Sequence, residues 1–253
     1  MKALVFAERN RKELMRDPLS YLFCLGLPLL MLVIMTIVNS SIPPEAQMTL
    51  FRIDRLAPGI AMFSLTFTML FGAISISKDR SSAFLIRLYA SPLRAVDFVI
   101  GYTLPLFVIS VGQLLLTFAA SAVVGLAVGI PLPAAGMLFS ILTLLPAAVL
   151  FLSMGMIFGT LFHDKAAPPV ASIVITLTSI LGGVFMDVDS LNGALKSVCA
   201  ALPFYHGVRA ARAALQGDSG QIAISLLITI LYAAAVLALA ALVFSRKRRR
   251  EQR

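Results

Sequence analysis

Charge, tryptophan, histidine and cysteine are all scarce in this sequence. Charged residues make up 13% of the 253-residue chain, tryptophan is absent, and histidine and cysteine occur twice each. Hydrophobic residues make up 59%, and the mean hydropathy is +0.95. A water-soluble globular domain is about 45–50% apolar, so the composition excludes that class. No linker-like stretch divides the chain, and the sequence therefore predicts a single transmembrane domain over residues 1–253.

The scarcity of ionisable side chains within the apolar runs excludes several classes of membrane protein. No Asp, Glu, Lys, Arg or His occurs from residue 98 to residue 162, although ion-coupled carriers, proton pumps and voltage sensors need such groups within the hydrocarbon. His163 and His206 fall on opposite sides of the predicted bundle, and the sequence contains no nucleophile elbow or Walker phosphate loop. We therefore expect no catalytic site, metal or cofactor in this chain, and the energy for any transport must enter from elsewhere.

Six apolar runs are long enough to cross a bilayer as helices. A helix needs about 20 residues to span ~30 Å of hydrocarbon, and continuously apolar runs differ from the alternating strands of a membrane β-barrel. Residues 129–133, with two prolines and a glycine, divide the long uncharged run. The predicted fold class is all-α and polytopic, with transmembrane helices at residues 19–38, 56–77, 98–128, 134–161, 167–186 and 222–244.

Lysine and arginine fall mainly on one side of the predicted bundle. They cluster before span one, between spans two and three and in a basic tail at residues 245–253, whereas the opposite side carries only Arg52, Arg55, Lys196, Arg209 and Arg212. Because positive residues mark cytoplasmic loops, both termini are expected in the cytoplasm of a multi-pass protein of the plasma or inner membrane. Orientation accounts for the net charge of +9 without nucleic acid as a partner, and the lipid bilayer remains the expected partner.

Residues 1–18 have the pattern of an amphipathic helix. The apolar residues near one helical face are Leu4, Ala7, Leu14 and Met15. The remaining surface is charged, and its candidate site residues are Glu8, Arg9, Lys12, Glu13 and Arg16. Such a segment is expected to lie along the inner membrane surface as an interfacial helix.

The segment between spans two and three predicts a short cytoplasmic helix. Charged residues at positions 78–80, including Arg80, mark the exit of span two, and Ser91 followed by Pro92 is typical of the start of the next helix. Between them, Arg87 lies opposite an apolar face formed by Phe84, Leu85, Leu88 and Tyr89. A helix of about two turns cannot span the bilayer, so its apolar face contacts either lipid headgroups or a groove on a cytoplasmic partner.

Residues 187–220 predict a helical hairpin on the outer side. The segment is too long for a tight turn and too apolar for a solvated loop. Pro203 is expected to end a first helix, and residues 208–215 to begin a second helix that Gly217 ends. The hairpin is either re-entrant, covering the mouth of a pathway, or a packed cap. Its expected aqueous edge carries Asp187, Asp189, Lys196, Arg209 and Arg212.

Three segments in this order resemble those of a known family. They are "ERNRKELMRDP" before the first span, "KDRSSAFLIRLYASPLRAVDFVIGY" between spans two and three, and "LNGALKSVCAALPFYHGVRAARAAL" on the outer side. The chain is similar over essentially its whole length to the type-2 permeases of ATP-binding-cassette (ABC) exporters. The order of the segments carries the resemblance, because none of them is as diagnostic alone as a Walker sequence.

The resemblance implies the partners and the role of the cytoplasmic segments. The loop would be a coupling helix that sits in a cleft of a separate ATPase subunit, with coupling residues Arg80, Phe84, Leu85, Arg87, Leu88 and Tyr89. The N-terminal helix would pack beside it and brace the ATPase, or serve only as a lipid anchor. Two ATPase copies would bind the ATP and Mg²⁺, and a second permease copy or a paralogue would complete the pathway.

The substrate is predicted from the aromatic content. Glycan exporters are expected to stack sugars on aromatic rings, yet this chain has no Trp and only 5 Tyr, against 17 Phe and 11 Met. We therefore expect the substrate to be a drug, lipid or apolar peptide, with Gln113, Met62 and Phe67 as candidate pathway residues, and the resemblance implies that transport is outward. Gln113 could instead form an interhelical hydrogen bond. A polysaccharide or glycolipid exporter, an ATP-independent channel and a membrane scaffold remain the alternatives.

Overall fold

The computed structural model describes residues 2–16, 22–43, 49–82 and 95–251, and these residues form a helical bundle. A π-helical turn at Leu22–Gly26 leads directly into the second α-helix. The α-helices are α1 Lys2–Met15, α2 Leu27–Ser41, α3 Ile53–Ser81, α4 Ala95–Ala127, α5 Ala134–Leu161, α6 Ala167–Leu181, α7 Gly193–Ala201, α8 Pro203–Gln216 and α9 Ser219–Glu251. The part of the chain that the structure describes contains no β-strand, and the all-α polytopic prediction is confirmed.

Five helices in the described residues are long and apolar enough to cross a membrane: Leu22–Ser41, Ile53–Ser81, Asp97–Ala127, Ala134–Leu161 and Gly220–Lys247. The predicted span at residues 167–186 is helical only as α6, which has 15 residues. At 1.5 Å per residue, α6 extends about 22 Å, less than the ~30 Å hydrocarbon core. The helix ends because Gly183 has a left-handed φ of +78°, which a continuing right-handed helix cannot contain.

α3 occupies the centre of the bundle and packs against α4, α5, α6 and α8. Its hydroxyl groups are buried but satisfied within the helix: Ser64, Thr66 and Thr68 each donate to the carbonyl oxygen three residues earlier, over 2.6–2.7 Å. Hydroxyls bonded in this way present no polar stripe to a pore. The pattern therefore gives no support to a water-filled channel along α3.

Two glycines let α5 approach the backbone of α3. A Cβ added at Gly155 would lie 2.5 Å from the Met69 carbonyl oxygen, and one at Gly159 would lie 2.8 Å from that of Ala73. Small residues four positions apart allow membrane helices to pack closely, so that van der Waals contacts replace the missing hydrophobic drive between helices in lipid. The four-residue spacing of Gly155 and Gly159 is the sequence signal for such a contact.

The predicted hairpin corresponds to α7 and α8, but its second helix begins earlier than expected. The second helix was expected to begin at residue 208, but α8 begins at Pro203. Proline fits the first turn of a helix, because no N–H donor is needed there. Gly217 ends α8 in a left-handed conformation with φ of +77°, as expected. α8 is largely buried against α5 and α9.

The basic tail predicted at residues 245–253 is largely helical. α9 continues without a break to Glu251, because lysine and arginine are good helix formers and are favoured at a helix C-terminus. The coupling helix predicted around residues 84–89 lies outside the described residues.

Candidate functional site

α1 packs against the start of α4 through a small aromatic and polar face. Phe6, Ala7 and Asn10 are buried, and the Phe6 ring meets the edges of Tyr102 and Phe98 at centroid distances of 5.0 and 5.7 Å. A Cβ at Gly101 would lie 2.1 Å from the Phe6 ring. Only a glycine at this position leaves room for the ring, so the α1–α4 contact depends on that close approach.

The predicted apolar face of α1 is only partly buried within the chain. Ala7 is buried and Leu14 is half-buried, whereas Leu4 is 60% exposed, as a residue that contacts the membrane surface would be. Asn10 takes part in the buried face because its amide Nδ2 donates to the Gly101 carbonyl oxygen over 2.9 Å. A hydropathy pattern misses this position, since it treats asparagine as a surface residue whatever its hydrogen-bond partner.

An ion pair connects α1 to the last turn of α3. Arg9 donates from Nη1 to Oδ2 of Asp79 over 2.8 Å and from Nη2 to Oδ1 over 3.2 Å. The Tyr102 hydroxyl of α4 donates to the same Oδ2 over 2.8 Å. We call Arg9, Asn10, Asp79, Gly101 and Tyr102 the α1 junction. Its bidentate geometry fixes both the position and the orientation of the Arg9 side chain.

The α1 junction carries charge that is balanced locally. Arg9 also lies 2.8 Å from Glu13 on the next turn of α1 and donates to the side chain of Asn10 over 2.9 Å. Partial burial opposes the charged form, but the hydrogen bond and charge of Asp79 outweigh it and raise the pKa of the Arg9 guanidinium. Arg9 therefore stays charged at any physiological pH.

Arg80 ties the same turn of α3 to a different helix. Its Nη1 donates to the Thr160 carbonyl oxygen, and its Nη2 donates to that of Phe162 over 3.1 Å. Asp79 and Arg80 are consecutive residues, yet one is held by α1 and α4 and the other by the end of α5. The end of α3, from which the chain continues into residues 83–94, is thus anchored to three neighbouring helices.

The exposed side of α1 mixes apolar and charged groups. One open concave surface, which we call the α1 surface, is lined by Leu4, Val5, Glu8, Arg9, Lys12, Glu13 and Arg16. The hydrogen bond from Arg11, together with the charges of Arg11 and Lys12, lowers the pKa of Glu8 to about 2. All five predicted interfacial residues therefore line a single face, next to exposed aliphatic side chains that could contact lipid or protein.

The other predicted site residues are distributed between the described and the undescribed parts of the chain. Among the coupling residues, only Arg80 lies in the described part, whereas Phe84, Leu85, Arg87, Leu88 and Tyr89 lie outside it. Their coupling role stays a prediction. Asp79 and Tyr102, which complete the ion-pair network, were not among the predicted residues, and their only sequence signal was a carboxylate and a phenol close to span ends.

The three candidate pathway residues lie in the core of the single chain. Met62 faces Gly207 of α8, and the Phe67 ring meets Phe63 at 5.1 Å. Gln113 of α4 donates from Nε2 to the Cys24 carbonyl oxygen over 2.8 Å. This interhelical bond is the alternative considered for Gln113, and contact with a substrate stays a prediction for all three.

Comparison with known proteins gives the family. No group of side chains in the described residues could hold a metal ion, and no curated protein matches the chain. A sequence model described as the ABC-2 type transporter matches residues 2–215, which is most of the chain. Members of that family are multi-pass transmembrane permeases that work with an ATPase subunit and are not themselves ATPases. The chain that carries the α1 junction therefore belongs to the ABC-2 type transporter family.

Proposed function

We propose that this chain is the permease subunit of an exporter that moves an apolar or amphipathic substrate, such as a drug, lipid or peptide, out of the cell. Two copies of a separate ATPase supply the energy, and a second permease copy or a paralogue completes the membrane domain. The α1 junction carries the proposal, because it anchors the turn of α3 that leads into residues 83–94. That segment is the coupling helix of the proposal.

The proposed coupling starts at the nucleotide. A ligand shifts a conformational equilibrium only by binding its states with different affinities, and here ATP favours the closed pair of ATPase subunits. Their closure displaces the apolar face formed by Phe84, Leu85, Leu88 and Tyr89. Because Asp79 and Arg80 tie the adjacent turn of α3 to α1, α4 and α5, the displacement reaches four helices together.

The α1 surface supports a second contact with the ATPase. Val5 is 72% exposed beside the paired charges of Glu8, Arg11 and Lys12. Exposed aliphatic side chains next to charged ones are the composition of many transient protein interfaces. We propose that α1 braces the ATPase and that the α1 junction keeps this brace in register with the coupling helix.

The proposed substrate class follows from the side chains available. The core around α3 contains Met62, Met69, Phe63 and Phe67, and methionine and phenylalanine adapt to apolar ligands of irregular shape. Since these residues pack against each other within the single chain, the bundle has to open before they can contact a substrate. In the proposal, the pathway forms between two copies in that opened state.

Reconstitution with the partner ATPase tests the proposal. Inside-out vesicles containing both proteins are expected to take up a fluorescent amphipathic drug in an ATP-dependent manner. Leu88→Glu places a charge on the apolar face of the coupling helix and is expected to abolish both complex formation and uptake. His163→Glu is the matched control, because it adds a carboxylate at an exposed position of the loop between α5 and α6.

Two results would count against the proposal. Uptake that persists without ATP would indicate a channel, and a stable complex with Leu88→Glu would show that residues 83–94 do not dock on the ATPase. ATP-dependent uptake of a glycan in place of the amphipathic drug would instead support the polysaccharide or glycolipid alternative.

A further inference from the structure

A polar cavity lies at the opposite end of the bundle from the α1 junction. Its volume is about 310 Å³, and its charged lining comprises Arg55, Arg209, Arg212, Asp189 and Asp218. Arg55 is in the first turn of α3, and Asp79 is in the last. Arg55 and Asp79 are 24 residues apart within α3, which corresponds to about 36 Å along the helix axis.

The three arginines of the cavity are not neutralised by the two carboxylates. No ion pair within 4.0 Å joins Arg55, Arg209 or Arg212 to a carboxylate among the described residues. Asp189 accepts a hydrogen bond from the Tyr205 hydroxyl over 2.6 Å, and Asp218 accepts one from a backbone N–H. The lining therefore carries a net positive charge whose arginine groups have no anionic contact in the described structure.

Arg212 is held in the cavity wall by two backbone carbonyl groups. Its Nε donates to the Arg55 carbonyl oxygen over 3.0 Å, and its Nη2 donates to that of Gly183 over 2.8 Å. Burial lowers the pKa of Arg212 to about 10, although the charges of Asp189 and Asp187 oppose that shift. Carbonyl groups satisfy two of its donors but cannot neutralise its charge, and a partly buried charge that no carboxylate contacts directly is costly. A bound anion would relieve that cost.

Arg209 is oriented by neutral partners and faces the same cavity. Its Nε donates to Oε1 of Gln221 over 3.3 Å, and its guanidinium lies 5.9 Å from the centre of the Tyr205 ring. Planar guanidinium groups bind phosphate through paired N–H donors. The Nη donors of Arg209 and Arg212 that these bonds leave over, together with Arg55 on the same cavity wall, offer the donor set that a phosphate group requires.

The position of the cavity favours a membrane lipid as the source of the phosphate. Arg55 and Gln221 lie in the first turns of two helices that are long and apolar enough to span a bilayer. The ends of spanning helices lie at the level of the lipid headgroups, where basic side chains meet phosphate. We propose that this cavity binds a phosphate group, that of an anionic phospholipid headgroup, between α3, α8 and α9.

Ligand-dependent thermal stability of the full-length protein in a non-ionic detergent tests this proposal. The probes are dihexanoylphosphatidylglycerol, dihexanoylphosphatidylcholine and inorganic phosphate, each titrated at constant ionic strength. Phosphatidylglycerol is expected to raise the midpoint temperature of unfolding until the site is saturated. Phosphatidylcholine, which is zwitterionic, is expected to leave that temperature unchanged. Stabilisation by inorganic phosphate alone would support the site but assign it to a soluble phosphate instead of a lipid.

Three variants separate binding from folding. Arg209→Gln and Arg55→Gln each remove one donor group and should weaken phosphatidylglycerol binding by about tenfold or more, the usual cost of losing a charged hydrogen bond. Arg55→Gln keeps the backbone carbonyl that holds Arg212. Arg52→Gln is the matched control at the same end, because Arg52 pairs with Asp54 and does not line the cavity. The control should bind as the unmodified protein does.

The outcome does not depend on the proposed transport function, since binding is measured without the ATPase. If neither phosphatidylglycerol nor inorganic phosphate raises the unfolding midpoint saturably, the proposed phosphate site is wrong. Equal binding by Arg209→Gln, Arg55→Gln and Arg52→Gln would overturn it as well, because the effect would then come from general surface charge.

Discussion

Arg9 of α1 and Asp79 of α3 form a two-point ion pair, with Nη1 2.8 Å from Oδ2 and Nη2 3.2 Å from Oδ1. The partners are 70 positions apart in the sequence. Asp79 is almost completely buried, whereas Arg9 is about one-third exposed at its side chain. The pair thus joins a surface helix to the centre of the bundle, at the turn that precedes the proposed coupling helix.

Replacing the carboxylate should weaken the contact between α1 and α3. Asp79→Asn removes the counter-charge of Arg9 and is expected to lower the free energy of unfolding by about 1–3 kcal/mol, the range for hydrogen bonds to charged groups. Equilibrium unfolding in mixed detergent micelles measures the change. Arg11→Gln, which breaks an exposed pair with Glu8, is the control and should change stability by about 0.5 kcal/mol or less. Equal effects of the two variants would contradict the assignment.

Tyr102→Phe isolates the hydroxyl group of the α1 junction. The substitution keeps the ring that contacts Phe6 but removes the donor to Asp79. We expect a loss of about 1 kcal/mol, and a smaller additional loss when the variant is combined with Asp79→Asn. A double-mutant cycle measures this coupling. Strict additivity would mean that the hydroxyl and the carboxylate act independently.

The close approach of α5 to α3 makes a glycine irreplaceable. Gly155→Ala would place a Cβ 2.5 Å from the Met69 carbonyl oxygen, so the helices must separate. The expected loss is about 1–3 kcal/mol, the usual cost of overpacking. Gly112→Ala is the matched control, because no atom lies within 4 Å of its added Cβ, and it should be neutral or stabilising. The unfolding midpoints of the two variants are compared. Similar midpoints would contradict the close packing of α5 on α3 at Gly155.

Gln113→Leu separates a packing role from a pathway role. The variant loses the donor to Cys24 but also removes a buried Oε1 atom that has no hydrogen-bond partner. These effects oppose each other, and we expect stability to change by about 1 kcal/mol or less. Unchanged transport would show that Gln113 serves only in the interhelical hydrogen bond and does not contact the substrate. Reduced transport at unchanged stability would support contact with the substrate.

The long apolar elements could be predicted from sequence because local composition determines them. The span predicted at residues 134–161 coincides with α5, and Gly217 ends α8 as expected. α6 was predicted too long, because residues 182–186 are apolar although Gly183 adopts a conformation that ends the helix. Apolarity alone does not report backbone conformation.

The α1 junction could not be predicted, because its contacts depend on tertiary structure. Asp79 looked like one more charge marking the end of a span, and nothing in its neighbourhood indicated a partner on α1. Asn10 has the polarity of a surface residue, but its side-chain amide donates a hydrogen bond to the Gly101 carbonyl oxygen. Arg212 lines the polar cavity at the end where the sequence predicts an aqueous edge, but its bonds to two backbone carbonyls could not be predicted. Hydrogen bonds to distant backbone leave no periodic signal in a sequence.

The number of substrate molecules moved per ATP hydrolysed, measured in vesicles with the partner ATPase, tests the central claim most directly. If the α1 junction couples the ATPase to the bundle, Asp79→Asn should still bind the ATPase and hydrolyse ATP, while transport per ATP falls several-fold relative to Arg11→Gln. An unchanged ratio of transport to hydrolysis in Asp79→Asn would contradict the account.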